Sequence, residues 1–140
     1  MEDKILRITT IILLIILGLT AILGGWGLID DPSGKNISFP PGMLENTPFH
    51  SYLIPGIILF SLVGVLSLIT AVLVFYKIKN HAWLVILEGA ILVGWLTAEI
   101  FMGFFLALMH LPYYTIAILL IIIGFLLKNK VSEKIKTKIL

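Results

Sequence analysis

A chain of 140 residues that is 59% hydrophobic and 13% charged stands far from the roughly 25% charge of a soluble domain, and its apolar residues come in long blocks without a polar face. Lipid-solvated helices have that pattern, so the sequence predicts an all-α membrane protein, a four-transmembrane-helix bundle with one extracytoplasmic loop. The lack of cysteine excludes disulfides, thiolate metal sites and cysteine nucleophiles, and a net charge of +2 offers little to nucleic acid.

The first span is placed at about 5–28, long enough at ~1.5 Å per residue to cross a ~30 Å hydrocarbon layer. Lys4 and Arg7 give it the basic start of a signal peptide, but the apolar stretch is too long for one and no A-x-A cleavage pattern follows. Gly18, Ala21 and Gly25 mark a close-packing face. Gly24-Gly25-Trp26-Gly27 lacks the spacing of a phosphate-binding loop and reads as a loosened helix end.

The outer loop covers about 30–47, where Asp31-Pro32-Ser33-Gly34 and Pro40-Pro41-Gly42 predict a chain of turns. Within it, Asn36-Ile37-Ser38 matches the N-glycosylation pattern, which matters only in a eukaryotic secretory pathway. Thr47-Pro48 reads as an N-cap followed by a first helical residue. The second span is placed at about 52–75, its helix starting at Pro48 or Pro55, and a Pro55 inside it is expected to kink the helix. Gly64, Ser67 and Ala71 repeat the small-residue spacing of the first span.

A short link, Tyr76 to His81, leads to the third span at about 82–105, and a turn over Leu106 to Pro112 to the fourth at about 113–127. Residues 1–128 thus form one domain, followed by a basic tail at 129–140. In the tail, Val131, Ile135 and Ile139 lie four residues apart among lysines, the pattern of a short helix on anionic lipid, with a solvated disordered tail as the alternative. Trp26, Tyr52, Tyr76, Trp83, Tyr113 and Tyr114 fall near span ends, where amphipathic rings prefer the interface.

Orientation follows from the basic residues. With both termini cytoplasmic, Lys4, Arg7, Lys77, Lys79 and all five lysines from Lys128 onward lie inside, and only Lys35 lies outside. No internal repeat supports an inverted-repeat transporter.

Glu88 and Glu99 are the informative pair. Each lies well within the third span, where a charged side chain costs roughly 2.5–3.5 kcal/mol on insertion scales. Eleven residues apart, they sit within about 20° of each other and ~16 Å apart along a helix, on a stripe shared with Leu92, Trp95 and Met102. Ala90, Gly94 and Ala98 form a second, small-residue stripe that lets another helix approach. No lysine or arginine falls within the second, third or fourth span, so the glutamates are expected to be protonated or hydrogen-bonded. Depth matching suggests Thr20 and Ser61 beside Glu99, and Thr70 with Thr9 or Thr10 beside Glu88. With Trp95 they make a candidate proton or ligand site; the alternative is a structural hydrogen bond between helices.

His50 and His110 fall near the outer surface with Asp30, Asp31 and Glu45, but no metal-ligand spacing accompanies them, and interfacial side chains explain both. His81, beside Lys77 and Lys79, reads as interfacial too. No cofactor is implied.

Three stretches resemble a family of small uncharacterised bacterial four-helix integral membrane proteins: Asp31-Pro32-Ser33-Gly34, Thr47-Pro48-Phe49-His50-Ser51-Tyr52-Leu53-Ile54-Pro55-Gly56, and Glu88-Gly89-Ala90-Ile91-Leu92-Val93-Gly94-Trp95. The likeness covers about Gly24 to Leu127. Before the last helix, where the family has a Ser-Trp-Leu-Gln-Pro-like stretch, this chain reads His110-Leu111-Pro112-Tyr113-Tyr114. The resemblance implies a bacterial or archaeal inner (plasma) membrane location and carries no catalytic residues over.

The leading functional reading is a non-enzymatic binding or accessory membrane protein whose partners are lipids, a second copy or another membrane protein. A proton- or cation-coupled transporter using Glu88 and Glu99 is the alternative. A membrane-embedded lipid-modifying enzyme ranks third, because no closely spaced carboxylate pair, metal cluster or nucleophile with a base is visible. Glutamates on the third helix and a strong charge bias give no ground for an analogy to small multidrug transporters.

Overall fold

Apolar runs that must satisfy their own backbone groups fold as helices. The computed structural model describes residues 2–39 and 42–140, and among them are four such helices: α1 (Glu2–Asp30), α2 (Leu53–Phe75), α3 (His81–Phe101) and α4 (Ala107–Ile139), each long and apolar enough to cross a membrane. The expected turn at Pro40-Pro41 lies outside the described residues. The chain is an all-α four-helix bundle with the character of a multi-pass membrane protein. Its large apolar side chains point outward as well as inward, Leu23, Leu62 and Leu108 among them.

Backbone approach divides the bundle into two hairpins. α1 packs along the whole of α2 and α3 along α4, while α2 touches α3, and α1 touches α4, more lightly. Glycine makes the tight pairs: a Cβ on Gly25 would lie 2.6 Å from the Phe60 nitrogen and 2.8 Å from the Gly56 oxygen. On the other hairpin, a Cβ on Gly89 would lie 2.8 Å from the Ala117 oxygen. Small residues allow this because association in lipid rests on van der Waals contact between close backbones.

The helix ends depart from the sequence expectations in four places. α2 begins at Leu53 and not at Thr47-Pro48; the Thr47 hydroxyl accepts the Phe49 N–H at 3.3 Å and donates to the Leu44 carbonyl at 2.9 Å, which closes a turn. Pro55 therefore falls in the first helical turn, where no intrahelical donor is needed. The irregularity expected there sits farther on, as a π-helical stretch over Leu59–Val65 that closes with the Leu66 N–H on the Ser61 carbonyl. α3 stops at Phe101, short of the expected 105, because Gly103 takes φ +88° and completes a Schellman motif: its N–H bonds the Ile100 oxygen at 2.9 Å, and the Phe104 N–H bonds the Glu99 oxygen at 2.9 Å.

That compact reversal frees Leu106–Pro112 from turning the chain, so α4 starts at Ala107 and carries Pro112 inside it. α4 also continues unbroken through 129–139, so the basic tail is helical, as one of the two expectations had it, and joined to the last span without a break. Lys130 of this extension meets Glu2 at 3.0 Å and Asp3 at 2.9 Å, and Lys134 pairs with Asp3, so both ends of the chain lie at one end of the bundle. There, Arg7 donates from Nη2 to the Val74 and Phe75 carbonyls at 3.3 and 2.9 Å, capping the end of α2 from α1.

The loop closes the opposite end. The Asp31 carboxylate accepts the Ser33 hydroxyl at 2.6 Å, the Ser33 N–H at 3.1 Å and the Asn36 N–H at 3.0 Å. These donors, the Ser33 hydroxyl foremost, hold its carboxyl below the ordinary range. The Tyr52 N–H bonds the Pro32 oxygen at 2.9 Å. Tyr52, expected at the interface, is instead buried, stacked on Phe39 at 5.0 Å, and Phe39 meets Phe104 edge-on at 4.9 Å.

Candidate functional site

Helical periodicity puts Glu88, Leu92, Leu96 and Glu99 on one side of α3, and all four are buried at the seam between the hairpins. The two carboxylates occupy different surroundings. In the half nearer the termini, Glu88 Oε2 accepts the Ser67 hydroxyl of α2 at 2.8 Å. Glu88 Oε1 and the Thr70 hydroxyl are buried beside this contact level without a hydrogen-bond partner among the described residues. Ser67, read from sequence as a packing residue, is thus a polar partner of Glu88. Thr10 instead satisfies its hydroxyl on the Leu6 carbonyl of its own helix, and Thr9 is exposed.

In the loop-end half, Glu99 Oε1 accepts the indole N–H of Trp95 at 2.9 Å. Glu99 Oε2 faces His110 Nε2 of α4 at 3.4 Å, within ion-pair distance though not aligned as a hydrogen bond. His110 is fully buried, which corrects the expectation of an interfacial side chain. The cause is the early start of α4, which brings His110 onto its first turn and under Phe104 and Phe105, with ring centroids 5.7 and 5.3 Å away. The Leu106 N–H faces His110 Nδ1 at 3.2 Å. Nδ1 lies equally 3.2 Å from the Leu106 carbonyl, so the tautomer sets whether it accepts from the Leu106 N–H or donates to that carbonyl, and with that whether Nε2 presents a proton or a lone pair to Glu99.

Thr20 and Ser61, the expected neighbours of Glu99, bond to their own helices, Thr20 to the Ile16 and Leu17 carbonyls and Ser61 to that of Ile57. Thr20 nonetheless shares a cavity with Glu99. This space, about 320 Å³, lies between the hairpins beneath Ile37, Phe39 and Phe104. Leu17, Ala21 and Gly24 of α1 wall it on one side and Met109 and Tyr113 of α4 on the other, with Leu59, Val63, Leu92 and Leu96 behind. It occupies the loose α1–α4 seam, and its polar end is the Glu99–Trp95 pair.

Trp95 also borders a groove between α2 and α3 that runs under Thr47, Pro48 and Phe49 and is lined by Gly94 and Ala98. No helix of the chain packs on the Ala90, Gly94, Ala98 stripe: all three are exposed, and a Cβ on Gly94 would meet nothing within 4 Å. The close approach on α3 uses Gly89, one residue from the expected stripe, because α4 lies on that side. Gly64 and Ala71 of α2 are buried, Gly64 against Ile22 of α1.

Among the described residues no group of three or more His, Asp or Glu side chains stands together as metal ligands. His50 is exposed on the loop near Glu45, apart from the buried His110. Chemically, the loop-end site offers a carboxyl and an indole N–H on the wall of a mostly apolar chamber, with the His110 imidazole behind the carboxyl and outside the lining, an arrangement able to bind a hydrogen-bonding group. No protein-family profile, curated protein or solved structure matches this chain.

Proposed function

We propose that this chain is a non-enzymatic binding or accessory protein of the membrane, whose cavity holds an apolar molecule by a hydrogen-bonding end. One observation carries the reading: a mostly apolar chamber of about 320 Å³ has Glu99 and Trp95 in its wall. Ligand sites have this composition, mostly apolar walls with a few convergent polar groups that set orientation. The chamber lies at the seam where the hairpins touch least, so a lipid-soluble molecule reaches it sideways from the bilayer.

Coupled transport through both glutamates finds less support. Glu88 lines none of the cavities described and is engaged by Ser67. The charge distribution supports cytoplasmic termini, because nine of the ten basic residues lie toward the terminal end and only Lys35 on the loop. An inner-membrane location remains what the family resemblance implies.

Trp95 fluorescence, isolated by Trp26→Phe and Trp83→Phe, tests the binding reading. The full-length protein in lipid nanodiscs is titrated with dodecanol, dodecylamine and, as a headless control, dodecane. A saturable change with either headed probe, absent with dodecane and weakened by Gly24→Leu, is expected. Gly24 borders the chamber, and a Cβ there meets only Leu59, at 3.4 Å, so the added side chain enters the space without breaking a helix contact. Identical responses to all three probes, insensitive to Gly24→Leu, would overturn the reading.

A further inference from the structure

The terminal end of the bundle contains a second concavity, of about 790 Å³, remote from Glu99. The start of α1, the link between α2 and α3 and the extension of α4 form its walls. Seven cationic side chains line it against one carboxylate, that of Asp3. Lys130 and Lys134 are paired with Asp3, and Arg7 is engaged by the last carbonyls of α2. Lys4, Lys77 and Lys79 have no carboxylate within ion-pair distance among the described residues, and the Lys128 ammonium lies 4.2 Å over the Trp83 ring.

The backbone adds to this field. α3 begins in the concavity at His81, its N-cap residue Asn80 supplies no capping side chain, and its first turn holds no acidic residue. The helix dipole sets its positive end beside the same lysines, with the His81 N–H taken by the Ile78 carbonyl and the Trp83 and Leu84 N–H groups by that of Asn80.

Apolar side chains decide what kind of anion suits the place. Ile78, Trp83, Val131 and Ile135 also line it, each about half exposed. A free ion gains nothing from such a surface, whereas an amphiphile sets its acyl chains on it and its phosphate among the lysines. We infer that this concavity binds the headgroup phosphate of an anionic lipid in the leaflet at the terminal end. The α4 extension stands upright as one of its walls, which is a different role from lying flat on the bilayer.

Native mass spectrometry of the full-length protein, titrated with phosphatidylglycerol or phosphatidylcholine, tests this independently of the loop-end cavity. Phosphatidylglycerol is expected to bind preferentially. Each lysine removed should weaken it about fivefold, so Lys77→Gln with Lys79→Gln should weaken it about twenty-five-fold. Both lysines are exposed, so circular dichroism should show the helices retained. Lys35→Gln, on the loop, should change nothing. Equal affinity for the two lipids, or a double variant that binds like the wild type, would overturn the inference. So would displacement of phosphatidylglycerol by millimolar inorganic phosphate, which would mark a free-ion site.

Discussion

His110 Nε2 stands 3.4 Å from Glu99 Oε2, and this contact joins α3 to α4 just below the turn that connects them. Both atoms are buried, and neither has a hydrogen bond to any other described residue. Each is therefore the other's polar counterpart across the two helices. Removing one partner leaves a buried polar group unmatched, at a cost of about 1–3 kcal/mol. In thermal unfolding in detergent, Glu99→Leu and His110→Phe should each lower the midpoint. The double variant should recover about 1 kcal/mol or more relative to the sum; strictly additive losses would show that the two side chains do not interact.

Ser67 has the corresponding role for Glu88. Ser67→Ala strips the buried carboxyl of its 2.8 Å hydrogen bond and should cost about 1–3 kcal/mol. Glu88→Gln keeps an acceptor oxygen for the same hydroxyl and should cost less. The reverse ranking in chemical unfolding would mean that the charge of Glu88, and not its hydrogen bond, matters.

Glycines separate into two classes by what surrounds them. Gly25→Ala drives a methyl group against the Phe60 and Gly56 backbone and should destabilise by roughly 1–3 kcal/mol, since a backbone neighbour cannot rotate away. Gly94→Ala enters open space and should be neutral or stabilising. Equal effects of the two on the unfolding midpoint would contradict the paired-hairpin packing.

Acid should loosen the loop before the bundle. The carboxyl of Asp31 titrates below its ordinary value of 3.8 in the folded loop, so its contribution is fully present above that value and is lost as pH falls through the lower, folded one. Amide exchange at Ser33 and Asn36 should therefore be slow at neutral pH and speed up, beyond the intrinsic pH effect, as the carboxyl protonates. In Asp31→Asn these amides should exchange faster already at neutral pH. An unchanged Asn variant would show that the turn is held by other bonds.

Because the chain has no cysteine, single-cysteine variants report topology cleanly. Asn46→Cys on the loop and Thr137→Cys on the α4 extension are both exposed positions. A membrane-impermeant maleimide added to intact cells should label the first and not the second; the opposite pattern would invert the proposed orientation.

The two levels of description divide along a physical line. Length, hydropathy and turn chemistry are local, and they were enough for the number of helices, their rough bounds, the glycine faces of α1 and α2 and the inward side of α3 that carries Glu88 and Glu99. Neighbour relations are not local. Nothing in the sequence paired Ser67 with Glu88 or brought His110 under Phe104 beside Glu99, because both depend on where one helix starts or shifts register against another. A single left-handed glycine, Gly103, ended α3 early and let α4 begin at Ala107, and that displacement carried His110 from an expected surface position into the core. Likewise, which small-residue stripe of α3 meets a helix, that of Gly89 or that of Gly94, is set by the side on which α4 lies. Composition along one helix can show that both faces permit close approach, but only the packed bundle decides which of them is used.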